Sequence, residues 1–352
     1  MRTGESELEL WPSYGEYPVY DELLYYAMAK DELRNSMYRR VIEKRVKNKS
    51  VVDMGTGGEV VLARMCVEAG ASKVYAIEVN EEAYKMSKNT IARLGLEKKI
   101  ALIKGDAREI DLPEKMDICV SELIGTVGSA EGVISILNDS RKLLKDGGEI
   151  VPFRCVTKIA GVRFGDDLRL NNGLSEIASY YTEKIYESVG RRFDVRMCVK
   201  NVQEKHIMTE VADFEELEMI KVMEVDGRRY IRVKVIKDGK IDGFILWVRL
   251  EVEEGRWLDA LDDVCSWLPV YYPVFYPGVE VSEMDVVEIE CLRALSDNGL
   301  NPDYAVSGRI KRRFFDDVEY SYESRHHPEV YKEGKFYSEL NEAVKRGISI
   351  TT

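Results

Sequence analysis

Glutamine occurs once in this 352-residue chain, at Gln203, and histidine three times, at His206, His326 and His327. The well-patterned first half therefore holds no histidine. A histidine-based catalytic centre or His-rich metal site is not expected there, and any acid–base work falls to carboxylates. The six cysteines (Cys66, Cys119, Cys155, Cys198, Cys265 and Cys291) stand far apart, with no Cys-x-x-Cys pair and several within apolar runs. Buried reduced thiols are expected, not a metal site or a disulfide framework. No apolar run approaches the roughly 20 residues that span a bilayer. The polar, acidic opening Met1–Glu7 has no signal-peptide pattern, so a cytoplasmic protein without membrane contact is expected. An excess of basic residues is also missing: 51 Lys and Arg face 63 Asp and Glu, a net charge of −12. That disfavours nucleic-acid binding. It suits a cationic substrate, or serves solubility alone. Scarce glutamine beside abundant Lys and Glu hints at a thermophilic source.

What is present falls into two styles. Asp21 to Val46 has apolar residues at helical spacings, including Leu23, Leu24, Met28, Leu33, Met37, Val41 and Ile42, and predicts a helix. Upstream, Trp11 to Pro18 is aromatic and broken by Pro and Gly, which predicts an ordered strap. Then strands and helices alternate. Strands are expected at Val51–Met54, Lys73–Val79, Ile100–Lys104 and Met116–Ser121. Helices are expected at Val60–Ala69, Glu81–Leu94 and Gly132–Leu144, the last stopped by Gly147-Gly148. This alternation implies a parallel sheet with right-handed crossovers. After Pro152 it ceases. Tyr230–Lys237, Phe244–Val252 and Val270–Val287 predict an antiparallel β domain, with a helical insert from Ser175 to Val189. The charged, tyrosine-rich tail from Arg293 to Thr352 receives no assignment. The expected division is 1–48 for a strap and helices, 49–152 for the α/β unit, and 153–352 for a β-rich unit with a helical arm near 167–200.

The strand ending in Asp53 runs into Gly55, Gly57 and Gly58 and then a helix. Glycines let the backbone turn sharply and let a ligand approach closely, and a helix N-terminus favours negative charge. A dinucleotide-type G-x-G-x-x-G would need glycine where Val60 stands. Glu78 ends the second strand, where an acid can grip ribose hydroxyls. The turn resembles the class I methyltransferase motif, which binds S-adenosylmethionine, with Glu59 in place of the usual last glycine. In that resemblance Asp106, after the third strand, matches the adenine contact.

Glu122 leaves the fourth strand, at the end where ligands gather in such sheets. Glu131 follows nine residues later, across a loop containing Gly125 and Gly128. Two carboxylates returned to one place by a loop make a clamp for a guanidinium, a planar fork of five donors. The bland reading, a surface acid plus a helix-capping acid at Glu131, fits the spacing as well.

Ser121-Glu122 with Gly125 and Glu131 resembles the double-glutamate loop of the protein arginine methyltransferase family. Met28-Ala29-Lys30-Asp31-Glu32-Leu33-Arg34, with Tyr38, resembles its N-terminal helix. Cys265-Ser266-Trp267-Leu268-Pro269 lies where the family carries Thr-His-Trp. The likeness is dense over 14–157 and 243–290. It implies a Rossmann-like methyltransferase domain followed by an antiparallel β-barrel-like domain with a helical arm, and a homodimer. It implies catalytic roles for Glu122 and Glu131. Cofactor contacts would come from Tyr25, Met28, Arg34, Asp53, Gly55, Thr56, Gly57, Glu78, Val79, Asp106, Ala107 and Glu122. Substrate contacts would come from Tyr14, Tyr17, Ser266 and Trp267, the tryptophan either stacking on a guanidinium or serving as core. No metal is expected.

Two departures stand out. Met28 suits the asymmetric or monomethylating branches, whereas Ser266-Trp267 resembles the symmetric one. Gly128, Ser129 and Gly132 make the acidic loop smaller than usual. The implied chemistry is direct transfer of the sulfonium methyl to a guanidinium nitrogen. The substrate is arginine in a protein or peptide, or free arginine or a small guanidino compound. The rivals are a non-catalytic regulatory protein of the same fold and a methyltransferase for another small molecule.

Overall fold

A computed structural model describes residues 7–13, 26, 28–168, 174–326 and 334–349. Strand β1 (Glu9–Pro12) comes first, followed by helix α1 (Glu32–Arg45). The helix expected from Asp21 is interrupted. Tyr26, Met28 and Ala29 are helical, Lys30 turns, and Asp31 restarts the helix as its N-cap by accepting the Arg34 N–H. Residues 21–25 lie outside the described ones.

The α/β unit follows: β2 (Ser50–Met54), α2 (Val61–Glu68), β3 (Lys73–Glu78), α3 (Glu81–Arg93), β4 (Ile100–Lys104), β5 (Met116–Val120), α4 (Val133–Ser140) and β6 (Leu144–Val151). These strands form one parallel sheet in the order β4-β3-β2-β5-β6. All five residues of β2 are buried, as a central strand covered on both faces requires. The order reverses beside β2, so the crevice beyond the C-terminal ends of β2 and β5 is where a ligand belongs. One expectation is corrected here. Gly147-Gly148 does not stop a helix that reaches Leu144. The helix ends at Ser140, a 3-10 turn spans Arg141–Leu143, and the glycines lie within β6. The register between β5 and β6 shifts at Met116/Ile118, an irregularity that a glycine pair accommodates.

The second half is built from β7 (Arg154–Val162), α5 (Glu176–Val189), β8 (Met197–Lys200), β9 (Ala212–Glu218), β10 (Gly227–Lys234), β11 (Gly239–Ile241), β12 (Gly243–Glu253), β13 (Arg256–Asp259), β14 (Val270–Tyr272), β15 (Val279–Val281), β16 (Val286–Leu295), β17 (Pro302–Lys311), β18 (Val318–Ser324) and α6 (Lys335–Ser349). One antiparallel sheet runs β1-β8-β14-β12-β7-β9, with β13 on β12; a second runs β10-β16-β17-β18. Phe214, Phe244, Tyr272, Tyr304 and Val306 pack between them, giving the β-barrel-like domain its own core. The first strand of the chain thus belongs to this sheet through its pairing of Trp11 with Cys198. The expected arm appears as α5, capped by Ser175 at one end and by left-handed Gly190 at the other. Residues 169–173 of the arm lie outside the described ones.

The unassigned tail turns out to be structural. β17 pairs with β16 along ten residues, and β18 extends that sheet. Helix α6 carries the largest amphipathic contrast, and its apolar face (Phe336, Leu340, Ala343 and Val344) is buried in the main core. The Tyr186 hydroxyl of α5 reaches Asn341, Phe336 meets Tyr271 and Tyr276 edge-on, and the Tyr322 and Tyr337 hydroxyls pair at 2.8 Å. All six cysteines are free thiols, and five are buried. Among the described residues no helix is long and apolar enough to cross a membrane, and no cluster of three or more His, Cys, Asp or Glu is placed to hold a metal ion.

Because Leu340 is fully buried against the arm and barrel, Leu340→Ala is expected to lower stability by about 2–5 kcal/mol. Urea denaturation followed by circular dichroism measures it. A loss under about 0.5 kcal/mol would mean that the tail helix does not dock as described.

Candidate active site

The glycine turn is held from both sides. Gly55 and Thr56 donate backbone N–H bonds to Ile77 of β3, and Gly55 takes φ +72°. Glycine suits this left-handed turn, and a Cβ there would meet the tip of the Leu123 side chain at 2.8 Å. The Glu78 carboxylate, 5% exposed, accepts the Gly57 N–H at 2.9 Å and the Asn80 N–H at 2.8 Å. Val60, where a dinucleotide fold would have glycine, takes φ +46° as the N-cap of α2 and is fully buried. A β-branched residue in that conformation is strained. Asp53 is enclosed beneath the turn and receives the Thr56 hydroxyl at 2.7 Å. Burial pushes its carboxyl up to about 7 against that hydrogen bond.

Glu122 caps its own loop. One carboxylate oxygen accepts the Ile124 N–H at 2.9 Å, and the other accepts Arg34 Nη2 at 2.8 Å and Nε at 3.2 Å. Burial works against the Arg34 charge, but Glu122 outweighs it and the guanidinium pKa is raised. Arg34 and Glu122, both expected among the cofactor contacts, are thus ion-paired to each other. Asp31 adds a second tie. Its Oδ1 caps α1, while its Oδ2 accepts both the N–H and the hydroxyl of Ser266, at 2.6 and 2.7 Å. Trp267 donates its indole N–H to the Ile124 carbonyl at 2.7 Å.

The loop between the two glutamates is pinned residue by residue. Thr126 meets Ser13 at 3.2 Å, Gly128 donates to the Thr157 hydroxyl at 2.9 Å, and the Ala130 carbonyl accepts Asn301 at 2.8 Å. Ser129 is held by Glu215, which is 6% exposed and fully satisfied. One Glu215 oxygen accepts Ser129 N–H at 3.0 Å and Thr157 Oγ1 at 2.8 Å. The other accepts Ser129 Oγ at 2.7 Å and Arg293 Nη1 at 2.6 Å. The Tyr304 hydroxyl reaches Ser129 Oγ at 2.8 Å. The small residues of this loop are explained by that docking. A Cβ on Gly128 would meet Cys155 Sγ at 2.8 Å, and one on Gly132 would meet Leu300 at 2.6 Å. Helix α4 then starts at Gly132, so Glu131 stands in the turn before it and is not its cap.

A single cavity of about 1380 Å³ gathers most of the expected residues: Met28, Arg34, Asp53, Gly55, Thr56, Gly57, Glu78, Val79, Glu122, Glu131, Ser266 and Trp267. Its size exceeds an ordinary one-ligand pocket. Trp267 is both wall and core, lining the cavity at 6% exposure. Asp106 and Ala107 are not among its lining residues. The Asp106 carboxylate is forked by Arg108 at 2.7–3.1 Å, and that contact lowers its pKa. Tyr14, Tyr17 and Tyr25 lie outside the described residues. Glu59 lines the cavity beside the turn.

Sequence reasoning missed Asp31, Glu215, Arg293, Ser13 and Lys200. Asp31 carried a signal, an N-cap acid three residues before Arg34. The others are brought in by strand pairings that no local spacing encodes.

A family model described as PRMT5 arginine-N-methyltransferase matches residues 16–151, the stretch holding the turn and both glutamates. The chain is 25% identical over 304 residues to Xenopus laevis protein arginine N-methyltransferase 9, an alignment covering 72% of this chain and 35% of that protein. It is 27% identical over 261 residues to Dictyostelium discoideum protein arginine N-methyltransferase 1, covering 69% and 70%. The first such relatives are longer proteins, of which the chain spans between about a third and a half. The crystal structure of Arabidopsis thaliana protein arginine methyltransferase 10 shares the fold, with a TM-score of 0.68 at 19% identity, over 85% of this chain and 96% of that one.

Two outcomes follow from the buried charges. Glu215→Gln leaves Arg293 short of its carboxylate and should cost about 3–5 kcal/mol, read by urea denaturation; an unchanged midpoint would contradict the network. For Asp53 the folded-state pKa is raised, so its effect is a loss of stability as pH rises from about 4 to about 7, complete above that range. Relative to Asp53→Asn, the wild type should lose on the order of 4 kcal/mol across that window, and parallel stability curves would refute this.

Proposed function

We propose that the chain is a member of the protein arginine methyltransferase family and that it transfers a methyl group from S-adenosylmethionine to the guanidino group of arginine. The observation that supports this reading most is the presence of Glu122 and Glu131 in the same cavity as the glycine turn and Glu78. In this reading residues 49–152 carry the cofactor, while residues 153–352, together with β1, wall the substrate end. The donor set fits such a cofactor. Glu78 is a buried acid on the turn, and Arg34 is a buried cation able to meet a carboxylate. When bound, S-adenosylmethionine supplies an electrophilic sulfonium methyl.

The chain's own residues do the rest. Glu122 and Glu131 grip the guanidinium as a pair of acceptors and draw its positive charge toward them, which leaves the remaining nitrogen the better nucleophile. Trp267, fixed through its indole N–H, walls the pocket and holds the planar group in orientation. Ser266, tied to Asp31, sets the spacing between that wall and the helix carrying Arg34. Arg34 and Glu122 neutralise each other as an ion pair. Binding of a carboxylate to Arg34 and of a guanidinium to Glu122 exchanges one ion pair for two.

This pairing decides which variant is informative. Glu122→Gln also releases Arg34, so it should weaken cofactor binding as well as turnover. Glu131→Gln should abolish transfer of label from S-adenosylmethionine to arginine while changing cofactor affinity less than threefold, measured by calorimetry. Retained turnover in Glu131→Gln would sink the clamp, and an inactive wild type would favour a regulatory protein of the same fold.

We also propose a homodimer formed through the arm, whose α5 helix exposes Tyr180. Light scattering should give about twice 40.3 kDa. A mass matching one chain would refute it.

A further inference from the structure

The cavity extends past the acidic loop to a wall that the methyl-transfer chemistry does not use. Its lining there comes from β1 and β8: Trp11, Ser13, Cys198 and Lys200. Cys198 and Lys200 lie two apart on β8 and so face one side of the sheet. Lys200 Nζ sits 3.6 Å from the centroid of the Trp11 ring, and its nearest carboxylate, Glu9, is 3.9 Å away. The Trp11 indole N–H meets no acceptor among the described residues. Burial pulls the Lys200 pKa below its ordinary value, which marks a cation that a further carboxylate would stabilise. Arg34, by contrast, is already occupied by Glu122.

Lys200 lines the same cavity as Glu122 and Glu131, so one molecule carrying both a guanidinium and a carboxylate can meet both ends. Ser13 touches Thr126, midway along the loop between the two glutamates, and its N–H continues the β1 ladder onto Arg196. An extended arginine places its carboxylate about 7 Å from its guanidinium carbon. A residue inside a peptide has no charge at that point, only an amide.

We propose that Lys200, braced on Trp11, binds the α-carboxylate of the substrate, and that the substrate is therefore the free amino acid arginine. This rests on the arginine-methylation reading above and names its substrate class. Lys200 selects and positions the substrate, and it touches no reacting atom.

The test compares L-arginine, L-argininamide, agmatine and an Arg/Gly peptide as acceptors of labelled methyl, and as ligands in calorimetry with S-adenosylhomocysteine present. L-arginine should exceed the three acceptors whose arginine-like unit lacks a free α-carboxylate by about tenfold or more in both assays. Lys200→Met should raise KM for L-arginine about tenfold with kcat little changed, and should leave agmatine unaffected. Lys200→Arg should restore most of the affinity, which separates a charge effect from a folding defect. Equal use of the peptide or of agmatine, or equal losses for all acceptors in Lys200→Met, would overturn the assignment. A protein that binds L-arginine in a Lys200-dependent way but methylates nothing would instead overturn the methyltransferase reading and leave this site standing.

Discussion

The site depends on one buried carboxylate that belongs to neither expected motif. Glu215, on β9 of the barrel, receives four hydrogen bonds, two of them from Ser129 in the loop between the two cavity glutamates. A carboxylate this deeply enclosed is tolerable only because Arg293 and the hydroxyl of Thr157 satisfy it. Once it is in place, the loop backbone has no freedom to slide, and the side chains at its two ends point where the fold directs them. The α/β unit supplies the residues of the loop, and the barrel supplies its geometry. Neither half of the chain would define the cavity alone.

A second carboxylate plays the same part on the opposite wall. Asp31 ends one helical turn, begins the next, and holds Ser266 with its second oxygen. The helix that carries Arg34 is thereby kept at a fixed distance from the segment that carries Trp267. The large cavity is thus bounded in part by a few short hydrogen bonds between segments remote in sequence.

How legible this was in the sequence follows from the range of each signal. The alternation of β2, α2, β3 and α3, the glycine turn and the spacing of Glu122 and Glu131 are local patterns, each set by neighbouring residues, and they could be read directly. The strand character of Gly147-Gly148 could not, because glycine pairs normally end structure and here the register slip between β5 and β6 overrides that preference. Asp106 carries a contact of a different kind. Its position after β4 is as the pattern requires, yet Arg108 two residues later takes its carboxylate, a side-chain competition that strand position does not encode. The tail gave no signal because β17 and β18 alternate buried and exposed residues only with respect to a sheet whose first strand lies far upstream. Ser13 and Lys200 reach the cavity through the β1–β8 pairing, which joins Glu9 to Lys200 across the whole α/β unit.

The anchors of the acidic loop are late in the chain: Arg293, Asn301 and Tyr304 all follow the loop by more than 160 residues. During synthesis the glycine turn and both glutamates leave the ribosome long before the groups that fix them. The parallel sheet can condense by then, since domains fold as units from the N-terminal side. The cavity itself cannot be finished until β17 has emerged and paired. A nascent or truncated chain would carry every motif by which such a protein is recognised and still lack the pinned loop, so competence arrives as a single late event in the life of the polypeptide.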